Sequence, residues 1–188
     1  MIAECLIFLA SFSQPVVETG IVENYNTLNK VQACTDLIPN SMIEHVDLYV
    51  EHFEKENLYT AIRIGWCESR GNETAVRTAE GNYDSGIMQF VSWTWNWVAE
   101  AQDVPLWNTE ILLYNGKPIE LNPKETYKYD IKLFEFRKVQ LVPYYNIKMA
   151  SHLAEDMYSK TRWRDWNSSK WCWDNPKYYE RKWREEGF

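Results

Sequence analysis

Apolar residues recur at Ile43, Val46, Val50 and Phe53, just after Ser41-Met42-Ile43-Glu44, which has the spacing of a capping box. This pattern predicts an amphipathic helix over 42–54. A second helix is expected over 58–69, where Ala61, Ile64, Gly65 and Glu68 share a face and Gly71 offers a stop. The polar stretch 72–84, with Gly81-Asn82 as its turn, predicts a small hairpin. Ile87–Phe90 is then a short apolar run, and Ser92 is positioned to cap a helix containing Trp93 and Trp97. In the stretch 103–142, Ile111–Tyr114 and Lys117–Leu121 flank Asn115-Gly116 and read as a hairpin, Pro118 implying an edge strand. Tyr129–Phe136 alternates as another strand. Asn146, Ala150, Leu153 and Met157 space a helix over 146–158, and Asn175-Pro176 opens a charged last helix that ends by Gly187. The class is therefore α+β, mainly α.

The chain before Ser41 has no such order. Residues 14–40 mix Pro, Gly, Asn and Thr without a sustained period and read as a linker or irregular wrap. Residues 1–13 hold the apolar run CLIFLA and small residues two apart at Ser11 and Ser13. No Lys or Arg precedes the run, however, and Glu4 interrupts it. An export signal and a buried N-terminal segment both remain open. The run is far shorter than the roughly 20 residues a bilayer span needs, so stable membrane insertion is not expected.

Composition narrows the function classes. A chain of 188 residues suits one domain with appended segments. The formal charge of -7 argues against nucleic acid as the main partner. The basic residues between Lys177 and Arg184 interleave with Glu180, Glu185 and Glu186, as on a solvated helix face. Ten Trp and twelve Tyr are enough both to build a core and to stack on sugar rings. His45 and His52 fall off the apolar stripe and are expected at the surface. With three scattered His, no metal site is expected.

Glu68 carries the chemistry. On an apolar helix face with small neighbours, its carboxyl would be poorly hydrated, which favours the protonated form that a general acid needs near neutral pH. Around it stand Glu68-Ser69, then Gly71-Asn72, then Ser85-Gly86-Ile87-Met88-Gln89-Phe90 and the Trp93/Trp95 pair. Trp163-Arg164-Asp165-Trp166-Asn167-Ser168-Ser169-Lys170-Trp171-Cys172-Trp173 follows the stretch Pro143 to Ala150. In this order the motifs resemble the lysozyme-like superfamily, nearest to soluble lytic transglycosylases and resuscitation-promoting factors.

The resemblance implies a lysozyme-like fold over 41–175, with a small hairpin beside a cleft, residues 103–142 as an insertion that shapes substrate choice or binds a partner, and 176–188 as an added helix. It implies Glu68 as general acid. Asp84 matches the second carboxylate of animal-type lysozymes, which in a retaining hydrolase stands about 5 to 5.5 Å from the acid. Lytic transglycosylases manage with the single Glu, and a turn-forming role for Asp84 also stays open. Ser69, Ser85, Met88, Gln89, Trp93 and Tyr145 match substrate-binding positions, with Tyr144 the alternative to Tyr145. For Gln89 the competing role is an amide that ties the hairpin down.

Relatives of this kind often bridge the places of Cys67 and Cys172. Cys34 then lacks a partner unless Cys5 is retained, and two free buried thiols at 67 and 172 are the alternative. The implied activity is cleavage of the β-1,4 bond between N-acetylmuramic acid and N-acetylglucosamine in peptidoglycan strands. No cofactor is expected, the protein is expected to be a monomer, and its location would be extracellular, periplasmic or virion-associated. A chitin-like substrate and a catalytically idle wall-binding or virion domain are the competing readings.

Overall fold

The structure is a computed structural model that describes residues 2–12, 30, 32–79, 82–104, 113–114, 117–118, 134–135, 138–157 and 162–186. It is mainly helical, with small antiparallel sheets. The chain divides into two compact units, Met1–Gly71 with Asp165–Phe188, and Asn72–Arg164.

The first unit is built around the helix Leu58–Ser69, which here is α4. Before it come α1 (Ile2–Phe12), α2 (Asn40–Ile43) and α3 (Val46–His52), and after residue 164 come a 3-10 segment (Arg164–Ser169), α8 (Lys170–Trp173) and α9 (Pro176–Glu186). α4 spans the expected residues because it is apolar on more than one face. Ala61, Ile62, Ile64 and Trp66 are all fully buried, which suits a helix covered on several sides. Gly65 is required for close packing, since a Cβ there would lie 2.2 Å from the Tyr49 hydroxyl oxygen and 3.1 Å from Met42 Cε. The helix ends at Arg70, which is left-handed at φ 61, followed by Gly71 at φ 79. A Cβ at Gly71 would come within 2.5 Å of the Ser41 carbonyl oxygen.

The expected single helix over 42–54 is two helices, broken at Glu44-His45. Pro39 is the N-cap of α2 and makes no side-chain cap bond, so Ser41 and Glu44 do not form a capping box there. The inward stripe is Met42, Val46, Tyr49 and Phe53, whereas Ile43 and Val50 are only half-buried. His45 is a second correction: it is buried at 4% exposure, not on the surface.

α1 turns Leu6 and Leu9 inward and is joined by Cys5–Cys34 to residues 32–35, a short helical turn within the stretch read as a wrap. The bridge Cys67–Cys172 is present, so neither cysteine is a free thiol. Two disulfides suit an oxidising compartment. No helix among the described residues is long and apolar enough to cross a membrane. At the far end, Asn175 Oδ1 accepts the Tyr178 N–H at 3.1 Å and starts α9. Tyr179 and Trp183, four residues apart, are its buried face.

The second unit opens with a three-stranded antiparallel sheet of β1 (Val76–Ala79), β2 (Asn82–Ser85) and β3 (Phe90–Val91). Its register pairs Arg77 with Asp84 and Ser85 with Phe90. α5 (Ser92–Ala101) follows directly, with Val91 rather than Ser92 as its N-cap. β4 (Leu113–Tyr114) pairs with β5 (Lys117–Pro118), as Asn115-Gly116 predicts, and with β6 (Phe134–Glu135). The order β5-β4-β6 leaves Pro118 on an edge strand. The other residues of the expected strands between 111 and 136 lie outside the described residues.

α6 (Lys138–Leu141) precedes α7 (Pro143–Ser151), which runs into a π-helical stretch, His152–Met157. The expected helix over 146–158 thus starts earlier, at Pro143, and changes winding after Ser151. Ile87, Met88, Trp95, Val98, Ile147, Met149, Ala150 and Leu153 are fully buried in this unit.

Candidate active site

Glu68 lies in the last turn of α4, where the chain is about to reverse through Arg70 and Gly71, and its side chain is half-buried. The hydroxyl of Ser169 donates to Glu68 Oε1 at 2.5 Å. Ser169 itself is 9% exposed, and its Oγ also lies 3.1 Å from the carbonyl oxygen of Trp166. That carbonyl receives a further bond from Trp173 Nε1 at 2.9 Å. The local sequence explains the arrangement. Cys67 precedes Glu68, Cys172 follows Ser169 by three residues, and the disulfide between them pins the helix end to the closing Trp motif.

Ser69 is used by the helix terminus. Its Oγ donates to the Gly65 carbonyl at 3.0 Å and accepts the Gly71 N–H at 3.1 Å. Those bonds hold the turn that presents Glu68 and use the single hydrogen of that hydroxyl. Arg70 completes the helix end. Its Nη1 donates to the carbonyls of Trp66 and Cys67 at 3.1 Å each, and its guanidinium lies 4.1 Å from the Trp66 ring centroid.

The second unit gathers backbone groups of Ser85, Met88 and Gln140 around Asn146. The Asn146 amide accepts the Met88 N–H at 2.8 Å and donates to the carbonyls of Gln140 at 2.8 Å and Ser85 at 3.3 Å. Gln140 in turn donates to the Phe90 carbonyl at 2.9 Å. Gln89 has φ 49, and its side-chain amide donates to the carbonyls of Gly86 at 2.8 Å and Ala75 at 3.0 Å. Both amide hydrogens of Gln89 therefore serve the loop, the role that competed with sugar binding. The Ser85 hydroxyl is buried with no hydrogen-bond partner among the described residues.

Asp84 sits on β2 opposite Arg77 and is half-buried. Burial raises its carboxyl above the usual range, and the Arg77 charge partly offsets the rise. Tyr145 stands on α7 in an edge-to-face pair with Tyr144, ring centroids 5.2 Å apart. Trp93 lies in the first turn of α5, and its side chain lies outside the described residues.

Sequence reasoning assigned no role to Ser169, Arg70 or Asn146. The closing Trp motif and the Pro143 helix contain Ser169 and Asn146, which was the only signal available. No group of His, Cys, Asp and Glu among the described residues could hold a metal ion. No protein-family model, curated protein or solved structure matches this chain.

Proposed function

We propose that the protein is a lysozyme-like glycosidase that cuts the β-1,4 bond between N-acetylmuramic acid and N-acetylglucosamine in peptidoglycan, with Glu68 as general acid. The observation that carries this reading is a half-buried carboxyl at a helix end, bonded to a buried hydroxyl and braced by a disulfide on the adjacent residue. A structural carboxylate at a helix C-terminus has little reason to be there, because the peptide dipoles present their negative end.

In the reaction Glu68 gives its proton to the glycosidic oxygen as the bond to the anomeric carbon breaks, and the electron pair leaves with that oxygen. The carboxylate then takes a proton from the group that attacks the anomeric carbon. If water attacks, the product has a reducing end. If the 6-hydroxyl of the same sugar attacks, the product is an anhydro sugar and the enzyme is a lytic transglycosylase. Asp84 is the candidate second carboxylate of the hydrolytic route. The two disulfides agree with work on a wall outside the cytoplasm.

The test is digestion of purified peptidoglycan by wild type, Glu68→Gln and Asp84→Asn, with mass spectrometry of the soluble fragments. Release by wild type and not by Glu68→Gln is the expected result. Reducing ends that disappear in Asp84→Asn assign Asp84 to the chemistry, and anhydro ends assign the single-carboxylate route. Equal release by wild type and Glu68→Gln, or none by either, overturns the assignment and favours a wall-binding domain.

A further inference from the structure

A serine hydroxyl has one hydrogen to give and lone pairs with which to accept. Ser169 Oγ stands within bonding distance of two acceptors, Glu68 Oε1 at 2.5 Å and the Trp166 carbonyl at 3.1 Å, and its hydrogen serves one at a time. When Glu68 is ionised the hydrogen belongs on Oε1, since a charged acceptor makes the stronger bond. When Glu68 carries a proton on Oε1, the carboxyl donates to Oγ and the serine hydrogen turns to the Trp166 carbonyl. Trp173 Nε1 supplies that carbonyl in either case. The bond between Oγ and Oε1 is therefore kept in both protonation states with the same heavy-atom positions, and only the hydroxyl rotates.

We propose that Ser169 is a positioning residue for Glu68, holding the carboxyl in one orientation while it loses and regains a proton. The inference rests on Glu68 being the general acid and extends that reading to its support. The two residues are 101 positions apart, and the Cys67–Cys172 bridge fixes both of their neighbourhoods. Other charges on these elements are Arg63 on α4, Arg70 at its end, Arg164, Asp165 and Lys170; Arg70 is bonded to Glu186 and Lys170 lies 3.5 Å from Asp174. The proton balance is closed. Glu68 gives its hydrogen to the leaving oxygen and receives one from the attacking hydroxyl, and Ser169 keeps its own throughout.

The experiment compares wild type, Ser169→Ala, Ser169→Thr and Glu68→Gln in two assays. The first measures kcat and KM on peptidoglycan. The second follows the carboxyl carbon of Glu68 against pH by NMR of protein labelled with carbon-13 glutamate, the resonance being assigned by its loss in Glu68→Gln. Ser169→Ala is expected to lower kcat about tenfold or more with KM little changed, and to move the titration midpoint up by about one pH unit, because the charge-assisted bond to the ionised form is lost. Ser169→Thr, which keeps the hydroxyl, restores both. A wild-type kcat and midpoint in Ser169→Ala, or a Thr variant as impaired as Ala, overturns the proposal; Ser169→Gly replaces Ala if that variant does not fold. If wild type digests peptidoglycan and Glu68→Gln does not, an unimpaired Ser169→Ala removes only the positioning role. If wild type releases nothing, the glycosidase reading fails, and the titration alone decides on Ser169.

Discussion

Arg70 and Glu186 meet across 116 residues of sequence, with Nε 2.7 Å from Oε2, at the end of the helix that carries Glu68. Both side chains are partly exposed, so the ion pair itself contributes little. The bonds from Nη1 to the carbonyls of Trp66 and Cys67 contribute more, because they serve acceptors in the last turn of the helix; the Trp66 carbonyl also takes the Arg70 N–H at 2.8 Å. Arg70→Met is expected to lower unfolding free energy by about 1–3 kcal/mol, measured by urea titration. Arg70→Gly loses the same bonds but relieves the positive φ, so its loss is expected to be smaller by about 1 kcal/mol.

Gly65 and Tyr49 form a tight contact. Gly65→Ala would set a methyl 2.2 Å from the Tyr49 hydroxyl oxygen, and Tyr49 is fully buried. The expected cost is about 1–3 kcal/mol, the usual range for overpacking. Tyr49→Phe removes the clashing atom. In a double-mutant cycle the pair is therefore expected to cost less than the sum of the single changes, and strict additivity would count against the contact.

The two disulfides differ in the loop each closes. Cys67–Cys172 spans 105 residues and Cys5–Cys34 spans 29. In the chain-entropy model they contribute about 4.8 and 3.6 kcal/mol respectively. The paired replacement of Cys67 and Cys172 by Ala is expected to lower Tm further than that of Cys5 and Cys34. The longer bridge is also expected to affect peptidoglycan release more, since it adjoins Glu68. Calorimetry and the digestion assay on both variants check this order.

Asp84 predicts a pH dependence. Its folded pKa is raised by burial, so the folded state holds a proton that the unfolded state releases more readily. The contribution to stability is present below the unfolded pKa, near 3.9, and is lost as pH rises through the higher folded value. Asp84→Asn removes this loss. Relative to wild type, the variant is expected to gain stability as pH rises across that window and to keep the gain at neutral pH. A wild-type-minus-variant difference that is flat from pH 3 to 7 would count against the burial.

Local pattern and long-range packing divide what the sequence could reveal. Leu58–Ser69 was legible because its apolar residues and its Gly71 stop act locally, as does Pro176 at the start of the last helix; the pairing of Leu113–Tyr114 with Lys117–Pro118 was legible from equally local turn chemistry. The break at Glu44-His45 was not legible. Period counting put Ile43 and Val50 inward, whereas packing chose Met42 and Tyr49, one position before each. The site divides in the same way. Glu68 could be singled out from its own helix, but Ser169 and Glu186 reach that helix end from more than 100 positions away, and no periodicity reports such a contact.

The network around Gly86 leaves one further consequence. A Cβ at position 86 would lie 2.2 Å from Asn146 Nδ2, and the same amide satisfies backbone groups of Ser85, Met88 and Gln140. Neither residue can change alone: a side chain at 86 evicts the amide, and a different residue at 146 leaves three buried backbone groups without that partner. Positions 86 and 146 are therefore constrained as one, and a change at either requires the loop to be rebuilt around the other.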